Sequence, residues 1–226
     1  MYYNLRLDWN PKVIGVKNGI YQIELDKGAY SKKTYELIES FFITNSSEEN
    51  RNITSQKVEF YFKKLKSAKK TNFISFSPNL NNCLFLVNNE TRELFKNYKI
   101  QEHKFFQSRV YDSFEDNLDD SFQMFYSSAQ NWAVIDFENS IFKSGGFGNN
   151  PEIEHSFRDE NEMRSFNGIT QVKTLALSQN FDDSLDLFRT RVGGLFVSEK
   201  LKLAIEENEM TGVKFKDDIK VYTRTN

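Results

Sequence analysis

Two stretches of this sequence echo one another, and the echo narrows what the chain can fold into. Residues 84–111 read LFLVNNETRELFKNYKIQEHKFFQSRVY and residues 195–222 read LFVSEKLKLAIEENEMTGVKFKDDIKVY, a constant offset of 111. Each opens on a short apolar stretch suited to a strand. A cap residue follows, Asn88 or Ser198, with acids in the first helical turn, where the helix dipole favours them. Each then passes through an extended piece containing Lys-Phe and closes on Val110-Tyr111 or Val221-Tyr222. A unit that mixes strand and helix in this way argues for α+β. Two copies are too few for a solenoid.

The remaining sequence reads mostly as strands. Residues 2–9 and 19–25 are two of them; the second sets Ile20, Tyr21, Ile23 and Leu25 against Gln22 and Glu24 after an Asn18-Gly19 turn. Residues 32–43 read as a helix capped by Ser31, with Tyr35, Leu37, Ile38, Phe41 and Phe42 at helical spacing. Residues 44–52 form a polar loop, and 57–62 and 72–77 read as strands. The acidic stretch 112–121, DSFEDNLDDS, reads as a joint. Beyond it, 131–137 reads as a buried strand, 144–168 as a long glycine-containing polar loop, and 169–178 and 185–190 as strands. The expected fold is α+β: mixed, largely antiparallel sheets with a few short helices. It divides into halves 1–111 and 112–226, each ending in a strand–helix–strand unit, or forms one continuous domain. At 226 residues the chain can bury a sizeable core. With 22 Phe and modest aliphatic content, aromatic rings must supply much of its volume.

The formal net charge of −2 excludes a whole-surface polycation for nucleic acid, and the aromatic content excludes a charged disordered chain. That small number hides a split. Residues 1–110 carry 18 Lys+Arg and 11 Asp+Glu, a net of +7; residues 111–226 carry 12 and 21, a net of −9. Cys83 is the single cysteine, which suits a reducing compartment. No secretory leader and no membrane-spanning run is visible, so a cytoplasmic protein is expected.

Catalytic patterns are sparse. His103 and His155 are separated and Cys83 has no His beside it, so neither a familiar zinc spacing nor a thiol dyad arises. Gly145-Gly146-Phe147-Gly148 lacks the Lys-Ser/Thr and the helix that complete a phosphate loop. Ser198-Glu199-Lys200-Leu201 fails the Ser-x-x-Lys pattern. Acids cluster at Asp112, Glu115, Asp116, Asp119 and Asp120, and at Asp182, Asp183 and Asp186, without partnered His or Arg motifs. The run Lys57, Lys63, Lys64, Lys66, Lys69 and Lys70 is interleaved with Phe60, Tyr61 and Phe62, which could meet phosphates and bases or guard a sheet edge.

Five motifs in order carry a resemblance. They are Trp132-Ala133-Val134-Ile135-Asp136-Phe137-Glu138-Asn139-Ser140, Leu175-Ala176-Leu177, Asp186-Leu187-Phe188-Arg189, Phe196-Val197-Ser198-Glu199-Lys200-Leu201-Lys202 and Met210-Thr211-Gly212-Val213-Lys214-Phe215. The stretch from about 130 to 216 resembles the eleventh-numbered family of bacterial polymorphic-toxin immunity proteins. Trp132-Ala133 depart from it, standing where many relatives carry Asn-Cys. The resemblance implies binding rather than catalysis: capture of a cognate secreted toxin effector, with no cofactor and no metal.

The expectation is therefore a cytoplasmic immunity protein, not an enzyme, that binds a toxin effector and blocks its active site. A basic toxin suits the acidic half. The expected contact residues are Asp112, Glu115, Asp116, Asp119, Asp120, Phe147, Glu152, Glu154, Arg158, Asp159 and Glu160. Two other readings stand beside it: a carboxylate-dependent hydrolase, and a nucleic-acid module using the lysines of 57–70.

Overall fold

The computed structural model describes residues 1–17, 19–44, 58–146 and 151–223. The chain begins with β1 (Tyr2–Leu7), α1 (Pro11–Ile14), β2 (Ile23–Leu25) and α2 (Lys32–Ile38), the last continued by π-helical turns over Glu39–Thr44. Then come β3 (Phe60–Lys64), β4 (Phe73–Ile74), β5 (Phe76–Ser77), β6 (Cys83–Asn88), α3 (Asn89–Phe95), β7 (Lys104–Asp112) and β8 (Asn117–Tyr126). The chain continues through β9 (Ile141–Ser144), β10 (Ile153–His155), α4 (Glu160–Ser165), β11 (Gln171–Leu177) and β12 (Leu187–Arg189). It closes with β13 (Leu195–Ser198), α5 (Glu199–Glu207), β14 (Val213–Lys216) and β15 (Lys220–Thr223). This is the expected α+β class, with mixed and largely antiparallel sheets.

Three sheets form, in orders β4-β6-β8-β7-β3-β2-β5, β12-β13-β1-β14 and β10-β9-β11-β15. Both echoed helices begin at the expected caps: Asn88 Oδ1 accepts from Thr91 N at 2.9 Å, and Ser198 Oγ accepts from Leu201 N at 3.2 Å. The two units share one core. Phe85, Val87 and Phe95 of the first pack with Leu195, Val197, Leu201, Ile205 and Met210 of the second. The units differ downstream. In the first, Lys104-Phe105 and Val110-Tyr111 lie on the single strand β7; in the second, Lys214-Phe215 lie on β14 and Val221-Tyr222 on β15, in different sheets.

Alternation along β6 and β8 gives the central sheet two covered faces. Leu86, Phe122 and Met124 face a core with Phe42, Phe60, Phe62 and Phe106, while Phe85, Val87 and Phe125 face the core shared by the echoed units. Phenylalanine fills these layers as composition requires: Phe42, Phe60, Phe62, Phe73, Phe122, Phe125, Phe142, Phe188 and Phe196 are all fully buried. Each such ring contributes about 1.5–3 kcal/mol by leaving water.

Several expected elements change. Residues 131–137 form no strand. Asn131 Oδ1 accepts from Ala133 N at 3.1 Å, fixing a tight turn at Trp132–Val134, and only Ile135 bridges to Leu177. The expected loop 144–168 holds β10 and α4, because β10 pairs antiparallel with β9 and Asp159 Oδ1 caps α4 at Glu162 N, 2.9 Å. Strand 72–77 divides into β4 and β5 around buried Ser75, whose N–H donates to Gln22 Oε1 at 3.2 Å. That contact also shortens strand 19–25 to β2, since Gln22 is buried and serves as a polar tie rather than an exposed strand residue. The stretch 112–121 is the turn of the β7–β8 hairpin and the first half of β8. From the other end, β1 pairs with β13 and β14 of the C-terminal region. Asn18, most of loop 44–52, Lys57 and Phe147 to Asn150 lie outside the described residues. Among the described residues, no helix is long and apolar enough to cross a membrane.

Candidate partner-binding surfaces

The expected contact acids separate into those tied down inside the chain and those left at the surface. Asp112 is buried at the end of β7, where Lys64 Nζ donates to Oδ2 at 2.5 Å and Phe114 N donates to Oδ1 at 3.0 Å. The Lys64 ammonium, then the Phe114 amide, hold its carboxyl below the usual range. Asp119 is paired to Lys70; partial burial raises its pKa, but hydrogen bonds from Lys70 and Ser121 outweigh burial and hold it low. Asp116 accepts from Tyr111 Oη at 2.8 Å at the hairpin turn. Glu115 and Asp120 are exposed and join no ion pair among the described residues.

These contacts change the meaning of the lysine run. Lys63 pairs with Asp26 at 2.9 Å, Lys64 with Asp112 and Lys70 with Asp119, while Lys69 donates to Lys12 O at 2.8 Å. Phe60 and Phe62 are buried in the core, so bases cannot stack on them. Two of these pairs, Lys64–Asp112 and Lys70–Asp119, join the basic half to the acidic half at the β7–β8 hairpin. A small cavity of about 90 Å³ lies where they meet, lined in part by Gln22, Lys64, Asp112 and Asp119.

The remaining described residues of the expected set gather near β10 and α4. Glu152 pairs with Lys143 at 2.9 Å, and the hydrogen bond from that lysine lowers its pKa. Glu154 pairs with Lys173. Arg158, Asp159 and Glu160 line an open groove of about 540 Å³ with Trp132, Asp136, Glu138 and Asn180. Arg158 Nε lies 3.3 Å from Glu162, Asp159 caps α4, and Arg164 Nη2 lies 2.8 Å from Glu160. The Trp132 ring is steadied by the guanidinium groups of Arg164 and Arg191, 5.2 and 5.6 Å from its centroid. Asp136 accepts from Asn139 N and Nδ2 at 3.2 and 2.9 Å, which closes the turn after Trp132.

Residues with catalytic potential are mostly occupied. Cys83 is buried, and burial pushes its thiol up, away from the reactive thiolate. His103 Nδ1 lies 2.9 Å from Gln101 O and its ring packs on Phe105. His155 Nε2 lies 2.7 Å from Ser144 Oγ, but its ring packs on Phe157 and Phe166, and no carboxylate hydrogen-bonds to it among the described residues. Asp182 is held at a pKa of about 2, first by Lys99 and then by Ser184. No group of three or more His, Cys, Asp or Glu side chains is set to hold a metal among the described residues.

Surface residues outside the expected set also emerge. Trp132 walls the groove, and Phe114 and Leu118 stand exposed on the β7–β8 hairpin. The signal for the latter two was present: apolar residues inside the acidic run DSFEDNLDD have no core to enter when that run forms a turn. A search of curated proteins finds no match to this chain. The model of the immunity protein family (Imm11) matches residues 28–220, which takes in the first echoed unit and nearly all of the second and leaves β1 and β2 before it, and the chain belongs to that family.

Proposed function

We propose that this protein binds a cognate toxin effector and blocks its active site, protecting the cell that makes both. The observation that carries the reading is the family match over residues 28–220. The surface chemistry supports it. Exposed carboxylates remain at Glu115, Asp120 and Glu138 after internal pairing, beside exposed or half-exposed aromatic rings at Phe114 and Trp132. Acids that speed encounter, next to aromatic anchors that hold the complex, form a usual division of labour at such interfaces. A stable complex of this kind buries about 1,600 Å² in total. The partner that fits is a toxin domain with a basic active-site cleft, since blocking requires both steric cover and charge complementarity.

Co-expression tests this reading. The probe is the C-terminal domain of a large secreted protein, taken from a gene found next to this one. Growth should be restored when this protein accompanies that domain, and arrested when it is omitted. Arrest in both cultures would contradict the proposal.

A further inference from the structure

We infer that the tip of the β7–β8 hairpin is a preformed finger that enters a basic-rimmed, apolar-floored cleft of the toxin, with Phe114 as its anchor. The inference rests on the immunity reading and specifies which part of the molecule performs it.

Phe114 is 63% exposed and Leu118 is 48% exposed, although the strands behind them feed two Phe-rich cores. A large ring left in water at the end of the longest hairpin among the described residues gains nothing for the fold. The tip is nonetheless fixed. Asp112 Oδ1 accepts from Phe114 N at 3.0 Å, and Lys64 clamps the same carboxylate at 2.5 Å. Tyr111 Oη donates to Asp116 Oδ1 at 2.8 Å, and Asp116 adopts a left-handed φ of 47°, which Asp tolerates. Asp112 pairs with Asn117 as the last rung of the ladder. A tip held by its own hydrogen bonds loses little freedom on binding, so its contacts are expressed as affinity.

The flanking charges select the occupant. Glu115 and Asp120 are exposed without an ion pair among the described residues, and Asp116 shares its oxygen only with a neutral phenol. An apolar centre with an acidic surround complements a cleft whose rim carries Lys or Arg, as in an enzyme that handles anionic substrates. A second copy of this chain would bring like charges together, and an anionic lipid surface would repel them.

The test uses the full chain and the toxin domain named above, with binding followed by surface-immobilised kinetics. Phe114→Ala should weaken affinity about tenfold or more, mainly through faster dissociation, as for a central aromatic anchor. Its thermal unfolding should match the unsubstituted chain, because the ring is exposed. Glu115→Lys with Asp120→Lys should slow association and flatten its salt dependence. Glu207→Lys, an exposed change on α5, should alter neither. Unchanged affinity in both Phe114→Ala and Phe114→Glu would overturn the finger while leaving the immunity reading intact. Failure of the unsubstituted chain to bind would overturn both. Concentration-dependent self-association abolished by Phe114→Ala would assign the tip to a second copy and overturn the proposal.

Discussion

Arg189 shows how a motif residue can serve the fold rather than a site. It follows the fully buried Leu187 and Phe188, and its Nη1 donates to Asn82 Oδ1 at 3.0 Å and Ser127 O at 3.1 Å. Its own N–H donates to Gln101 Oε1 at 2.7 Å, so β12 of one sheet is tied to the chain around β6 and β8 of another. Burial lowers the Arg189 pKa, yet a guanidinium keeps its charge at neutral pH. Arg189→Ala removes charge-assisted bonds and leaves two acceptors unpaired; urea denaturation should show a loss of about 1.5–3 kcal/mol. Cys83 offers a second residue-scale check. With the thiol buried and its pKa raised, a thiol reagent should label it only after unfolding; rapid labelling of the native chain would contradict its placement. The sequence order of Leu187-Phe188-Arg189 marked these residues as informative, but the partners of Arg189 lie 62 and 107 residues away, beyond any local pattern.

Helix caps were legible because capping is local, and longer-range elements were not. Asn88→Ala and Ser198→Ala should each cost about 1 kcal/mol, measurable by thermal or urea unfolding, because each removes one side-chain acceptor from a helix start. A second element-scale prediction concerns the seam between β4 and the loop before β14. Gly212 has φ +97°, and a Cβ there would lie 2.0 Å from Phe73 O. Gly212→Ala should therefore destabilise by more than about 1 kcal/mol, since it adds both strain and a backbone clash. The strand β8 was missed for a physical reason. Its start, Asn117-Leu118-Asp119-Asp120, is poor in strand formers, and it is held by pairing to β7 and by Lys70 instead. Likewise 131–137 carries the apolar content of a strand, but Asn131 and Asp136 turn the backbone locally. At the candidate surface, the sequence marks the acidic stretch 112–121, read there as a joint rather than a hairpin. It could not separate Asp112 and Asp119, which are spent on lysines, from Glu115 and Asp120, which are not, because that requires knowing that β3 lies beside β7.

The same internal pairing governs the whole molecule's response to pH and salt. Asp112, Asp119 and Asp182 have folded pKa values below the ordinary carboxylate value of about 3.9. Their contribution is present above that value and is lost as pH falls through the depressed ones, to about 2 for Asp182. Urea midpoints should therefore hold near neutral pH and fall as pH drops below about 4, with a shallower fall in Lys64→Ala with Lys70→Ala. A flat profile between pH 5 and pH 2 would contradict these pairs. Toxin capture should instead depend on the uncommitted acids, so added salt should slow association far more than it speeds dissociation. Blocking of the toxin is read directly by titrating the purified toxin domain with this protein while toxin activity is followed. Activity should fall in proportion to added protein and vanish at a fixed stoichiometry, with Phe114→Ala requiring excess. A tight complex that leaves toxin activity undiminished would contradict it.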